Sequence, residues 1–169
     1  MTVSSQFLNG RKPKERNLMS PIEDLRGLSA SLNKASDELN RILKSTEKEL
    51  RELNLGVEAW VKTPIITSDG WKEGGEHCYE AQYLGWTKIN SVWCMALKIL
   101  IIRQGLFEGQ IDCPYMNEEL QTIDPILGKS RDIRAKAVKN IENLIDALRE
   151  EATNVLEAVA KGTSLKLKQ

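Results

Sequence analysis

From Ile22 onward, apolar and small residues recur every three or four positions: Ile22, Leu25, Ser29, Leu32, Ser36, Leu39, Leu43, Thr46, Leu50 and Leu53. That period lays one stripe along a helix, widened by Leu28, Ala35 and Ile42, and it is the spacing of a coiled-coil seam. Ser20-Pro21-Ile22-Glu23 places an N-cap serine, a proline at the first helical position and a glutamate at N3, together a capping box. The pattern predicts a helix over residues 20–54. Asp37–Arg41, Glu47–Arg51 and Lys48–Glu52 are i,i+4 pairs on its polar side, each contributing about 0.2–0.5 kcal/mol.

A second helical pattern closes the chain. Val138, Ile141, Ile145, Leu148, Ala152, Val155 and Val159 repeat at the same spacing, with Ile133, Ala137, Leu144 and Leu156 broadening the buried face. Ser130 is preferred to Asp124-Pro125 as its N-cap, and Gly162 is a stop signal, giving a helix over residues 130–161.

Between the helices the period changes to two. Val57, Ala59 and Val61 alternate with Glu58, Trp60 and Lys62, which predicts a strand over about residues 55–65 with one face buried. Strands over about 78–86 and 92–103 follow, joined by a hairpin loop at 87–91. Ser68-Asp69-Gly70 and Gly74-Gly75 mark the intervening segment as a loop. Residues 104–129 read as an acidic loop, with Glu108, Asp112, Glu118, Glu119 and Asp124 and no basic residue between 105 and 127. Lys129, Arg131, Arg134, Lys136 and Lys139 come next. Cations at a helix N-terminus oppose the macrodipole, so the acidic loop is expected to neutralise them, an anionic partner being the other reading.

These elements predict an α+β fold: two long antiparallel helices packed on a small three-stranded antiparallel sheet, in the order α-β-β-β-α. Residues 20–162 form a single domain between a flexible basic N-terminal tail, 1–19, and a C-terminal tail, 163–169. A 35-residue helix is about 50 Å long, whereas eight-residue strands span about 26 Å. The helices should therefore overshoot the sheet and expose apolar flank that a second copy of the chain would cover.

Composition narrows the function. At 169 residues the chain suits one domain. Its 24 basic and 24 acidic residues cancel, so no global field attracts nucleic acid or an anionic membrane. Arg11, Lys12, Lys14 and Arg16 precede no apolar run, and the stretch around Ile99–Ile102 is too short to span a bilayer. Cys78, Cys94 and Cys113 are an odd number without paired spacing, as expected of free thiols in the cytoplasm.

Chemistry is ranked low throughout. His77 and Cys78, adjacent in a strand, point to opposite faces and cannot form a nucleophilic pair, although Cys94 or Cys113 could reach His77 in space. Neither zinc spacing nor a phosphate-binding glycine loop is present. Paired carboxylates such as Glu23–Asp24 and Glu118–Glu119 read as solvated charges. The expectation is no catalytic residue, no metal and no cofactor.

What remains is surface. Trp60, Tyr79, Tyr83, Trp93, Cys94, Lys129, Arg131 and Arg134 are the candidate interaction residues, and the apolar second sheet face around Val92, Cys94 and Ala96 is the preferred surface. The predicted function is a small non-enzymatic cytoplasmic interaction or scaffold protein. It would self-associate and contact a protein partner through its helices or outer sheet face, with no membrane role and nucleic acid disfavoured. The alternative is a module binding a small ligand or single-stranded nucleic acid on its sheet aromatics.

Overall fold

The computed structural model describes residues 19–106 and 114–166, with side chains over 21–105 and 115–162. The elements run α1 (Met19–Leu53), β1 (Ala59–Trp60), β2 (Ile66–Thr67), β3 (Trp71–Glu73), β4 (Glu76–Ile89), β5 (Val92–Leu106), β6 (Pro114–Pro125), a 3-10 turn (Ile126–Gly128), α2 (Arg131–Lys139) and α3 (Ile141–Lys166). The chain divides into two compact units, Met1–Ala35 and Ser36–Gln169, so α1 contributes its first half to one and its second half to the other.

The expectation of two long helices on a three-stranded sheet is overturned. Among the described residues there is one long N-terminal helix, a six-stranded antiparallel sheet and two C-terminal helices. The sheet order is β1-β4-β5-β6, with β2 and β3 also pairing along β4. β4 and β5 have 14 and 15 residues, which is about 45–50 Å of extended chain, so the length mismatch that required overshooting helices does not exist.

Each difference has a local cause. The five-residue hairpin loop is a two-residue turn, because Asn90 and Ser91 both adopt positive φ, 50° and 67°, which matches the twist of the flanking strands. The segment read as a loop before β4 is itself a hairpin: Gly74 and Gly75, at φ 58° and 88°, turn β3 directly into β4. The predicted strand 55–65 shrinks to Ala59–Trp60, with Gly56 at φ 68° before it and Pro64 after it. The acidic loop contains β6, paired with β5 from Ala96↔Pro125 to Leu106↔Pro114; Glu108 and Asp112 lie outside the described residues.

The closing helix is broken at Asn140. Its side-chain Nδ2 donates to the Lys136 carbonyl (2.9 Å) and its backbone N–H to Ala137 (2.9 Å), ending α2, while its carbonyl accepts from Leu144 N–H (3.1 Å) to start α3. Ser130 is the N-cap of α2, accepting from Ile133 N–H. Gly162 does not stop α3, which continues to Lys166.

The main core of the second unit lies between sheet and helices. Leu84, Trp86, Met95 and Leu97 from the sheet meet Leu43 and Leu50 of α1, Ala137 of α2, and Leu144 and Leu148 of α3. Glu47, expected on the polar side of α1, is only 4 % exposed. Its carboxylate accepts from Met95 N–H (3.0 Å) and from Arg51 (2.9 Å), and Arg51 Nε donates to the Trp93 carbonyl (2.7 Å). β6 ends opposite Ala96, so these two side chains serve β5 backbone groups beyond the reach of strand pairing.

Candidate functional site

Residues paired across antiparallel strands share a face, so the register sorts every strand side chain. The face opposite the helices carries Trp60 on β1, Tyr79, Ala81, Tyr83 and Gly85 on β4, Lys98, Leu100 and Ile102 on β5, and Glu118, Leu120 and Ile123 on β6. Ala81, Leu100 and Ile102 are buried there, with Tyr79 and Tyr83 packed against them, so this face has a small core of its own.

At its β1 end the aromatic cluster is tightly determined. Trp60 lies flat on Gly85, where any Cβ would enter the indole ring. Glu58 orients that ring, accepting from Trp60 Nε1 at 2.7 Å and from Thr87 Oγ1 at 2.7 Å. The Lys98 ammonium sits 4.6 Å from the Trp60 ring centroid and 5.6 Å from that of Tyr83, a distance at which cation–π attraction holds all three together. Burial first, then the nearby Glu118 carboxylate, pushes the Tyr83 phenol above its ordinary range.

The eight candidate residues do not form one surface. Trp60, Tyr79 and Tyr83 share the outer face, and Cys94, opposite Thr87, belongs to it but is buried. Trp93 is on the helix side, stacked on Trp86 with centroids 6.0 Å apart and with Lys88 5.1 Å from its ring. The basic residues lie elsewhere. Lys129 pairs with Asp124 (2.7 Å), the one expected neutralisation that forms between loop acid and helix base among the described residues. Arg134 instead reaches α1, donating to Ser36 Oγ (3.0 Å) and Asn40 Oδ1, which explains the polar residue in that stripe.

Among the described residues, His77, Cys78 and Cys94 do not assemble. His77 is exposed, its ring against Gly70 and 6.0 Å from that of Tyr79. Cys78 is buried on the other face, 3.7 Å from Arg103, and Cys113 lies outside the described residues. Burial, reinforced by Glu47, raises the Cys94 thiol pKa above its ordinary value. Among the described residues no cluster of histidine, cysteine and carboxylate could hold a metal ion.

Exposed apolar residues are concentrated on the helices. In the first unit, Ile22, Leu25, Leu28 and Leu32 are 47, 63, 60 and 50 % exposed. In the second, an apolar groove of about 260 Å³ is lined by Leu50, Leu53, Leu55, Ile145, Leu148 and Leu156, and Val155 and Val159 are also exposed. The sequence period marked these residues as buried. Among the described residues, no helix is long and apolar enough to cross a membrane. No protein-family model matches the chain, and no curated protein or solved structure matches it.

Proposed function

We propose that this chain is a non-enzymatic cytoplasmic interaction protein that works by protein–protein contact through its helices, and that it self-associates. The observation that carries the reading is the behaviour of the α1 stripe. Its period is unbroken in sequence, yet Leu43 and Leu50 are buried to 0 and 7 % exposure while Ile22, Leu25, Leu28 and Leu32 stay 47–63 % exposed. Leucines at successive turns of one stripe, left in water, forgo about 1.5–3 kcal/mol each on burial. A second amphipathic helix is the partner such a stripe fits, and the apolar groove beside Leu53 and Leu156 offers a matching surface on a second copy.

The rival reading, base or ligand stacking on the sheet aromatics, has less support. Lys98 already occupies the faces of Trp60 and Tyr83, and Trp93 is stacked on Trp86. Sedimentation equilibrium of Leu53→Glu/Leu156→Glu tests the proposal: both side chains are exposed, so the variant should fold with an unchanged thermal midpoint and lose the dimeric or higher mass of the parent. A variant that melts normally and keeps the parent's mass would contradict it.

A further inference from the structure

Lys129, Arg131, Arg134, Lys136 and Lys139 lie at and along α2, and the acidic stretch before them neutralises only Lys129, through Asp124 at 2.7 Å. Lys136 takes the one acid inside α2, Asp132, at 3.3 Å. Arg131 and Arg134, one helical turn apart, pair with no carboxylate among the described residues, and Arg131 makes no hydrogen bond either.

Two guanidiniums so placed cost the free chain stability. Like charges on neighbouring turns of a helix repel, and cations in the first turn oppose the macrodipole. The Nε–H of each is also shut off from solvent without an acceptor, a loss comparable to a missing hydrogen bond. Arg134 is nonetheless held in place, donating to Ser36 Oγ (3.0 Å) and to Asn40 Oδ1 on α1. Both acceptors are neutral, so they orient the fork without cancelling its charge. Arg131 and Arg134 each remain partly exposed, which leaves the pair open to an anion from solution.

Spacing and charge select the anion. Side chains three positions apart on a helix are about 5–6 Å apart at Cβ, a separation at which two planar forks converge on one tetrahedral group. A phosphate monoester brings about 1.5 to 2 negative charges and three acceptor oxygens, enough for both guanidiniums, whereas a carboxylate matches one fork and one charge.

We propose that Arg131 and Arg134 bind a phosphate group, free or as the monoester of a small molecule, beside the start of α2, with Ser36 and Asn40 as positioning residues. The bound group supplies the counter-charge that the acidic stretch does not. This site is separate from the apolar helix surface, so either can fail without the other.

The test is a titration of the full chain followed by heteronuclear NMR of the arginine Nε–H and α2 amide signals. The probes are inorganic phosphate, phenyl phosphate, a hexaglutamate peptide, and sodium chloride at matched ionic strength. Phosphate or phenyl phosphate should shift the Arg131 and Arg134 signals saturably and chloride should not; the tighter of the two phosphates tells the free ion from the ester as source. Arg131→Gln should weaken that binding about tenfold or more, the loss of a charge-assisted hydrogen bond. Arg134→Gln should do the same; if it fails to fold, Ser36→Ala, which keeps both charges but loosens the Arg134 fork, should weaken binding about threefold. Shifts that grow linearly with every salt, the sign of an adventitious ion only, would overturn the proposal. So would unchanged affinity in a folded Arg131→Gln variant, or tighter saturation by hexaglutamate than by either phosphate, which would assign the pair to an acidic protein segment.

Discussion

Gly85 is where a single methyl group should do most harm, because its absent side chain is the space that the Trp60 ring fills. Gly85→Ala should cost about 1–3 kcal/mol in urea unfolding and shift the tryptophan emission as the indole is displaced. Glu47 holds α1 to β5 through the Met95 N–H, so Glu47→Ala leaves a buried donor unpaired. An expected loss of about 2–3 kcal/mol is measurable in the same assay. The Cys94 thiol, buried and with its pKa raised by that burial, should alkylate with iodoacetamide at pH 8 at least about tenfold more slowly in the folded than in the unfolded chain, read by peptide mass mapping. Asp124 gives the pH dependence its sign. The Lys129 hydrogen bond, and then that of Thr122, lowers its pKa below the ordinary value, so its contribution is present above about pH 4 and is lost as the pH falls through the lowered value. Asp124→Asn should therefore melt earlier than the parent near neutral pH, with the difference closing in acid.

At the scale of elements, two tight turns set the sheet. Ser91 holds a left-handed conformation at φ 67° without being glycine, so Ser91→Gly should raise the stability by about 1 kcal/mol, seen as a higher denaturant midpoint. The turns also show what the sequence could reveal. The α1 period, the Ser130 cap and the burial of Ala59 and Val61 were legible because each depends on neighbouring residues alone. β6 was not legible. Asn117, Glu118 and Glu119 are poor strand formers, exposed on both faces, and extended only through pairing with Arg103, Ile102 and Ile101 of β5. The break at Asn140 depends on hydrogen bonds that a hydrophobic period cannot display. On the candidate surface, strand parity correctly separated Trp93 from Cys94, but the clustering of Trp60, Tyr83 and Lys98 required the β1–β4–β5 register. Lys129, Arg131 and Arg134 were grouped by charge alone, and the fold sends Lys129 to Asp124 and Arg134 to Ser36 and Asn40.

For the whole molecule, the central claim is that apolar helix surface left open within one chain is covered by another. Since β4 and β5 are long strands, the open surface is not a helical overhang past a short sheet; it is the exposed Ile22, Leu25, Leu28 and Leu32 and the groove residues Leu53 and Leu156. Light scattering on the full chain across a dilution series tests this most directly. The account predicts a mass of at least two chains at high concentration, falling toward 19.1 kDa on dilution, and a Leu25→Glu/Leu32→Glu variant that keeps its melting temperature but remains at the lower mass throughout. A parent chain that stays at one chain's mass at every concentration, fully folded, would contradict it.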